Sequence, residues 1–265
     1  MTSTALPAPV HGGVRNAVGD ALTLTGRCIR LTRRDTDTMV MSLVLPLLMM
    51  SLFVYVFGGA ITTGSAYIDY VVPGIVLLCT GYGAASTAMA VAADTESGMV
   101  DRLRSLPVRA WTVLLGHVAA SVTRNAVSTA VVVGAAVAMG FRPDAGPAEW
   151  ALTAGLLLLY VLALSWLAAG LGALASSVES ASALSFAMLF LPYLSSAFVP
   201  TDSMPAVLRA VAENQPITPV IETVRGLLTG TPIGGTGWTA LTWCLGLLAV
   251  SVAFASWAFR RRTRR

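Results

Sequence analysis

Cysteine and histidine are the residues most often found at metal and redox sites, and this sequence contains few of either. Its three cysteines, Cys28, Cys79 and Cys244, lie far apart and form no C-x-x-C pair. This spacing predicts neither a disulfide framework nor a zinc site. The two histidines, His11 and His117, have no second ligand at metal-binding spacing. No pattern of catalytic residues is present, and we expect this chain to bind no metal or cofactor of its own.

Lysine is absent from the sequence, because all 17 basic residues are arginine. A phosphate-binding P-loop requires the lysine of GxxxxGK followed by serine or threonine, so the chain cannot hydrolyse ATP by that route. A lysine Schiff base is excluded for the same reason. The sequence therefore predicts that the chain is not itself an enzyme.

A charged stretch, ESGMVDRLRSLPVR at residues 96–109, lies between two apolar runs. Met99, Leu103 and Leu106 recur at i, i+4 and i+7, which predicts one face of a short helix over 94–107. Pro107 would end that helix. A short amphipathic helix on a membrane surface is either a docking element or a headgroup-binding loop, and the spacing favours neither.

The composition indicates what surrounds this stretch. Hydrophobic residues make up 55% of the chain and charged residues 11%, whereas charged residues make up about 25% of a globular protein. A soluble core is excluded, and each long apolar stretch can supply the ~20 residues that cross a ~30 Å hydrocarbon layer. We predict an all-α integral membrane protein with six transmembrane helices, near 39–58, 70–92, 112–140, 150–175, 181–200 and 238–259.

The arginine distribution predicts how these helices are oriented. With the N-terminus in the cytoplasm, 13 arginines lie on the cytoplasmic side, and the outer loops hold Arg142, Arg209 and Arg225. We therefore expect a multi-pass protein of the cytoplasmic (inner) cell membrane with both termini in the cytoplasm. The closing RRRTRR is interpreted as an anchor for this topology, and no nucleic-acid partner is expected.

The N-terminal region is less apolar than the rest. Residues 1–13 are predicted to be a flexible tail, and residues 14–36 carry a partial apolar face with arginines toward their end. An interfacial helix in contact with anionic membrane lipids fits this pattern. A disordered basic tail is the alternative.

Residues 204–230 lie before the last predicted span. Pro205, Pro216 and Pro219 divide them into two short helical pieces, near 205–213 and 219–228, neither of which can cross a membrane. A re-entrant helical hairpin at the extracytoplasmic end fits, provided that its backbone packs on protein. A surface loop with two amphipathic helices is the alternative.

Arg124 is the one arginine placed within a predicted span. Intramembrane charges are usually functional or paired. If the third helix protrudes into the cytoplasm, however, the Arg124 side chain could snorkel to the interface. The sequence leaves both interpretations open.

Two segments resemble a known family. The first, ESGMVDRLRSLPVRAWTVLLGHVAAS, follows the pattern E-x-G-x-x-x-R-x-R-x-x-P before the third span. The second, MPAVLRAVAENQPITPVIETVRGLLTG at 204–230, has an asparagine–x–proline break and an arginine–glycine pair. Both are similar to segments of type-2 ABC exporter permeases, particularly the daunorubicin/doxorubicin-resistance group, and the predicted spans and termini match that family as well.

The resemblance implies a permease that forms a homodimer and binds two copies of an ABC ATP-binding subunit, which would bind ATP and magnesium. It also implies that the loop after the second span is a coupling helix that contacts this subunit. The implied contact residues are Glu96, Gly98, Asp101, Arg102, Leu103, Arg104, Leu106 and Pro107. Residues of 204–230 would form an outer gate, with Asn214, Pro216, Pro219, Arg225 and Gly226 as candidates.

The resulting hypothesis is an ABC exporter permease that moves a hydrophobic, drug- or antibiotic-like small molecule out of the cell with ATP hydrolysed by a separate subunit. Export of a lipid-linked polysaccharide is the alternative within the family, and an aromatic content of 8% argues mildly against it. A non-transporting integral membrane protein is an alternative from a different class. A membrane enzyme is disfavoured, because the acidic residues near the spans lie at their ends.

Overall fold

The protein is helical throughout most of the chain that the structure describes. A computed structural model describes Gly26 and residues 36–61, 66–98 and 111–263. No β-strand occurs within these residues, which confirms the all-α class for them.

The helices that carry the fold are numbered here in chain order. They are α1 (Thr36–Ser51), α2 (Tyr67–Glu96), α3 (Trp111–Ala138), α4 (Pro147–Leu174), α5 (Val178–Phe190), α6 (Ala206–Asn214), α7 (Ile217–Thr229) and α8 (Thr236–Thr263). A π-helical segment, Leu52–Phe57, extends α1, and a 3-10 segment, Leu191–Leu194, extends α5. A 3-10 turn covers Thr201–Ser203.

Four of these helices, α2, α3, α4 and α8, are long and apolar enough to cross a membrane. At about 1.5 Å per residue, each exceeds a ~30 Å hydrocarbon layer. The apolar stretches Ser42–Phe57 and Val178–Leu194 are shorter. An integral membrane protein is supported by length and composition, and the count of six spans stays a prediction.

Local sequence explains several helix ends. Pro147 starts α4 in the first turn, where its missing N–H is not needed. Ser177 and Ser180 form a capping box at the start of α5, in which each hydroxyl accepts from the other residue's backbone N–H. Gly230 ends α7 with φ +69°, a left-handed conformation that glycine adopts without strain.

The predicted fifth span, 181–200, is wrong at its C-terminal end. The α-helix ends at Phe190 and the 3-10 segment ends at Leu194. Pro192 accounts for this end, because it has no N–H to donate and its ring clashes with the preceding turn. Residues 195–200 are therefore not helical.

The predicted start of the coupling helix at residue 94 is also wrong. Residues 94–96 form the last turn of α2, and Ser97 is its C-cap. Gly98 follows with φ +70° and turns the chain away from the helix axis. The rest of the predicted coupling helix lies outside the described residues, as does the predicted interfacial helix 14–36 apart from Gly26 and Thr36.

α2 lies at the centre of the bundle, where it contacts α1, α3, α4, α5 and α7. Its buried side chains, including Val72, Ile75 and Leu78, belong to the main hydrophobic cluster. α8 packs mainly on α4 and α7 at the periphery. This arrangement places α2 in contact with almost every element discussed below.

Contacts between helix ends define two ends of the bundle. At the first, Glu96 Oε2 accepts from Val178 N at 3.4 Å and Arg262 Nη1 donates to Ala175 O at 3.1 Å; we call it the arginine end. At the second, which holds α6 and α7, Asp144 N donates to Leu228 O at 2.9 Å; we call it the hairpin end.

Candidate functional site

Glu96 and Gly98 are the predicted ATPase-contact residues that the structure describes, and both lie at the arginine end. Glu96 is the last residue of α2, and Gly98 follows the C-cap. The other predicted contacts lie outside the described residues; they are Asp101, Arg102, Leu103, Arg104, Leu106 and Pro107. α2 therefore leads into the predicted coupling segment, and α3 leads out of it.

Side-chain contacts join three helices beside that segment. His117 Nε2 of α3 lies 3.1 Å from Asp94 Oδ2 of α2. The Glu96 carboxylate accepts from Val178 N, a backbone donor at the start of α5 that has no partner within its own helix. These contacts therefore join α2, α3 and α5 next to the predicted coupling segment. Sequence reasoning missed the His117–Asp94 contact, because the two residues are separated by most of the charged stretch.

Arg124 is buried at the α2–α3 contact, with 8% of its surface exposed. Its Nη2 donates to Gly83 O and to Thr87 Oγ1, both at 2.9 Å. These contacts place the guanidinium against α2 and give no support to the snorkelling interpretation. The two acceptors offset part of the large cost of removing a charge from water.

A stripe of polar residues follows the same side of α3. Ser121, Asn125 and Ser128 recur at i, i+4 and i+7, so they share one face of the helix. Ser165 Oγ of α4 donates to Ser121 Oγ at 2.8 Å, and Ser128 Oγ lies 3.4 Å from Ser42 Oγ of α1. The spacing of this stripe was visible in the sequence, although its partners on α1 and α4 were not.

Gly83 lets α2 and α3 approach closely at this level. A Cβ added to Gly83 would overlap the Asn125 amide group. The amide in turn donates from Nδ2 to Ser121 O at 2.9 Å. The polar stripe and a glycine together therefore set the distance between these helices, which is how helices commonly associate in membranes.

Arg225 is the outer-gate candidate with the most contacts. Its Nε donates to Tyr70 O at 3.1 Å and its Nη2 donates to Ser196 O at 2.7 Å. The guanidinium carbon lies 3.6 Å from the centre of the Tyr70 ring, in a cation–π geometry. Burial lowers the pKa of Arg225, and the neighbouring Tyr70 and Glu222 oppose that shift. The side chain thus attaches α7 to the start of α2 and to the segment after α5.

The other outer-gate candidates shape the two hairpin helices. Asn214 ends α6 and is exposed. Pro216 is the N-cap of α7, and the buried Pro219 lies in its first turn, where the missing N–H is not needed. A Cβ added to Gly226 would overlap Ile233 Cγ2, so this glycine allows the residues after α7 to pack back against it.

A polar pocket of about 350 Å³ lies beside Arg225, lined in part by Tyr70, Ser196 and Glu222. Its lining contains groups of both charges, Arg225 with Asp202 and Glu222. The described part of the chain contains no cluster of three or more His, Cys, Asp or Glu side chains that could hold a metal ion. Cys79 and Cys244 are buried and free.

Comparison with known proteins identifies similar chains. A family model described as ABC-2 type transporter matches residues 20–229. The daunorubicin resistance ABC transporter permease protein DrrB1 of Streptomyces coeruleorubidus is 27% identical over 263 residues, which cover 98% of this chain and 92% of that protein. The probable doxorubicin resistance ABC transporter permease protein DrrC, from two strains of Mycobacterium tuberculosis, is 24% identical over 263 residues, covering 98% of this chain and 95% of the relative.

Proposed function

We propose that this chain, which belongs to the ABC-2 type transporter family, is the permease subunit of an exporter that moves a hydrophobic small molecule out of the cell. The resemblance noted in the two sequence segments is thereby confirmed at the level of the family. The observation that carries the proposal is the near full-length similarity to permeases named for daunorubicin and doxorubicin resistance. ATP would be hydrolysed by a separate subunit, since the chain has no lysine for a P-loop.

The proposed topology has six crossings. α2, α3, α4 and α8 supply four of them. α1 with its π-helical extension covers residues 36–57, about 33 Å at 1.5 Å per residue, which supports a fifth. α5 with its 3-10 extension is the sixth and the shortest. The arginine end would face the cytoplasm, because cytoplasmic loops carry the excess of positive charge.

The proposed contact with the ATPase is the segment that joins α2 to α3, from residue 97 to residue 110. The contacts of Glu96 and His117 at the arginine end support this proposal, since they would couple motion of the segment to three helices. Two ATP-binding subunits, one for each permease of a homodimer, would hold the ATP and magnesium. The hairpin of α6 and α7 would then close the outer end of the pathway, held to α2 by Arg225.

The test is a charge placed on the apolar face of the proposed coupling helix. Leu103→Asp would bury an unpaired carboxylate at the contact, at a cost of about 3–5 kcal/mol, the usual range for an uncompensated buried charge. Asp101→Ala is the matched control, because it removes a charge from a rim where water screens it. The two variants are co-expressed with the ATP-binding subunit encoded nearest to the permease gene, and recovery of that subunit is measured at equal permease expression.

We expect Leu103→Asp to insert into the membrane but to lose the ATP-binding subunit and ATP-dependent efflux. Asp101→Ala should retain both to within about threefold, as expected for an exposed charge. Undiminished recovery of the ATP-binding subunit with Leu103→Asp would contradict the coupling assignment. A change in lipid dependence alone would indicate a headgroup-binding loop.

A further inference from the structure

One face of α8 points away from the rest of the described protein. Trp243, Val250 and Trp257 recur on it every seven residues and are 43%, 65% and 50% exposed. No charged residue of α8 precedes the three arginines at 260–262. The exposed face is therefore uncharged and mainly apolar until it ends in a cluster of positive charge.

The tryptophans at the two ends of α8 match the thickness of a bilayer. Trp238 and Trp257 are 19 residues apart, which is about 29 Å along a helix that rises 1.5 Å per residue. The hydrocarbon layer of a bilayer is ~30 Å thick, and tryptophan is enriched at its two boundaries. A bilayer aligned on these two residues would place Arg260 and Arg261 just beyond the hydrocarbon, at the level of the lipid phosphates.

The neighbouring side chains of Arg261 and Arg262 have different partners. Arg262 Nη1 donates to Ala175 O at 3.1 Å and thereby holds α8 to the end of α4. The guanidinium carbon of Arg261 instead lies 5.4 Å from the centre of the exposed Trp257 ring, in a cation–π geometry. No carboxylate of the described residues pairs with Arg261. Within that part of the chain, its positive charge is therefore uncompensated and lies directly beside the apolar face.

We propose that Trp257 and Arg261 form a binding site for an anionic phospholipid, with the lipid phosphate at the Arg261 guanidinium and an acyl chain along the exposed face of α8. Charge complementarity selects this occupant, because a zwitterionic phospholipid carries its own cation and gains less from an arginine. A soluble ATP-binding subunit could reach Arg261 but not the apolar residues before Trp257, which would lie at the depth of the hydrocarbon. The site goes beyond the proposed function, since it depends neither on the cargo nor on the orientation of the chain.

The test compares lipid selectivity at two matched positions of α8. Ala253 lies four residues before Trp257 and Thr242 lies four residues after Trp238; both are exposed, and at 100° per residue they are about 20° apart around the helix. Each is replaced by cysteine in a permease without its native cysteines and labelled with bimane. The complex with the co-expressed ATP-binding subunit is placed in phosphatidylcholine nanodiscs. Quenching of the bimane is measured with phosphatidylglycerol or phosphatidylcholine that carries a nitroxide near the headgroup.

We expect phosphatidylglycerol to be preferred over phosphatidylcholine about fivefold at residue 253, the usual effect of one basic side chain near an anionic lipid. At residue 242 the two lipids should quench about equally, because α8 carries no charge at that end. Arg261→Gln should lower the preference at residue 253 by about threefold or more, whereas Arg261→Lys should retain most of it. Arg209→Gln is the control and should change nothing, because this exposed arginine is already paired with two carboxylates.

Equal preference at residues 253 and 242 with all arginines present would overturn the site, and this comparison does not depend on how any arginine variant folds. An unchanged preference at residue 253 in Arg261→Gln would overturn the role of Arg261. Absence of quenching by either lipid at residue 253 would overturn the proposal as well, because it would show that protein covers this face. Loss of the ATP-binding subunit from Arg261→Gln would then identify that subunit as the covering protein.

Discussion

α2 and α8 are both long and apolar, yet they occupy opposite places in the fold. In the most apolar 18-residue stretch of each helix, 78% of α2 but only 22% of α8 is buried within the protein. Over that stretch, α8 is at least as apolar as α2. Hydropathy therefore predicts that a helix lies in the membrane, but not whether it faces other helices or its surroundings.

The size of the side chains accounts for the difference. In α2, a Cβ added to Gly74 or Gly83 would overlap a neighbouring segment, whereas the glycines of α8, Gly237 and Gly246, have no neighbour closer than 3.4 Å. α8 also carries three exposed tryptophans, Trp238, Trp243 and Trp257. Lipid tails are as apolar as leucine, so apolar side chains have no strong preference for protein over lipid. Small residues allow backbones to approach, and this is why α2 is central. The following predictions test this explanation, in order of decreasing effect.

The largest effect is expected from Gly74→Leu in α2. A Cβ at residue 74 would lie 2.6 Å from Ala197 Cβ and 2.7 Å from Ala197 O, and backbone atoms cannot move aside as a flexible side chain can. We expect a loss of about 3 kcal/mol or more in the free energy of unfolding, at the upper end for overpacked cores. The matched control is Gly246→Leu in α8, where a Cβ meets nothing within 4 Å. Thermal unfolding followed by size-exclusion chromatography measures both, and equal midpoints would refute the explanation.

The next largest effect is expected from Arg225→Gln, which releases the hairpin from α2. The variant loses the cation–π contact with Tyr70, and the two hydrogen bonds lose their charged donor. Together these losses should lower the free energy of unfolding by about 2–3 kcal/mol. We expect faster amide hydrogen exchange in α7. Arg209→Gln in α6 is the control, because Arg209 is exposed and pairs with Glu213 and Asp202 at the surface. Unchanged exchange in α7 of Arg225→Gln would mean that other contacts hold the hairpin.

A smaller effect is expected from Thr87→Val, which keeps the shape of the side chain but removes an acceptor of Arg124. Hydrogen bonds to charged groups are worth about 1.5–3 kcal/mol, and the remaining bond to Gly83 O should reduce the loss to about 1–2 kcal/mol. Thr242→Val in α8 is the control, since its exposed hydroxyl bonds only its own helix among the described residues. Thermal midpoints of the two valine variants are compared. A loss as large in Thr242→Val would show that helix-internal bonds, rather than the Arg124 contact, set the cost.

The sequence predicted the elements better than their partners. The helices Ala206–Asn214 and Ile217–Thr229 lie close to the predicted 205–213 and 219–228, because proline positions mark their boundaries. Pro192 was equally visible, but a proline alone does not show where an apolar helix ends, because α1 continues through Pro46 and α2 through Pro73. An uninterrupted apolar run therefore predicts that a span is present but not the residue at which its helix ends.

The contacts of the candidate site could not be predicted in the same way. Arg124 donates hydrogen bonds to Gly83 and Thr87, which are more than 35 residues away in the chain. The packing of the helices decides which side of α3 faces α2. A sequence pattern predicts that a polar residue needs a partner, but it does not identify that partner.

The smallest effect is expected from Val250→Ala on the outer face of α8. Val250 is 65% exposed, so in a membrane its methyl groups would contact lipid tails, which are as apolar as the side chain itself. Removing them should therefore change the free energy of unfolding by less than about 0.5 kcal/mol. Val72→Ala in α2 makes the same deletion at a residue that is 0% exposed, and there the cavity left behind should cost about 1–3 kcal/mol. A loss at Val250 as large as that at Val72 would show that the outer face of α8 is covered by protein. Because a single chain leaves this face open, the covering protein would then be a second copy of the chain or another subunit. The cross-linking yield of Val250→Cys would distinguish a contact between two permease chains from a contact with the ATP-binding partner.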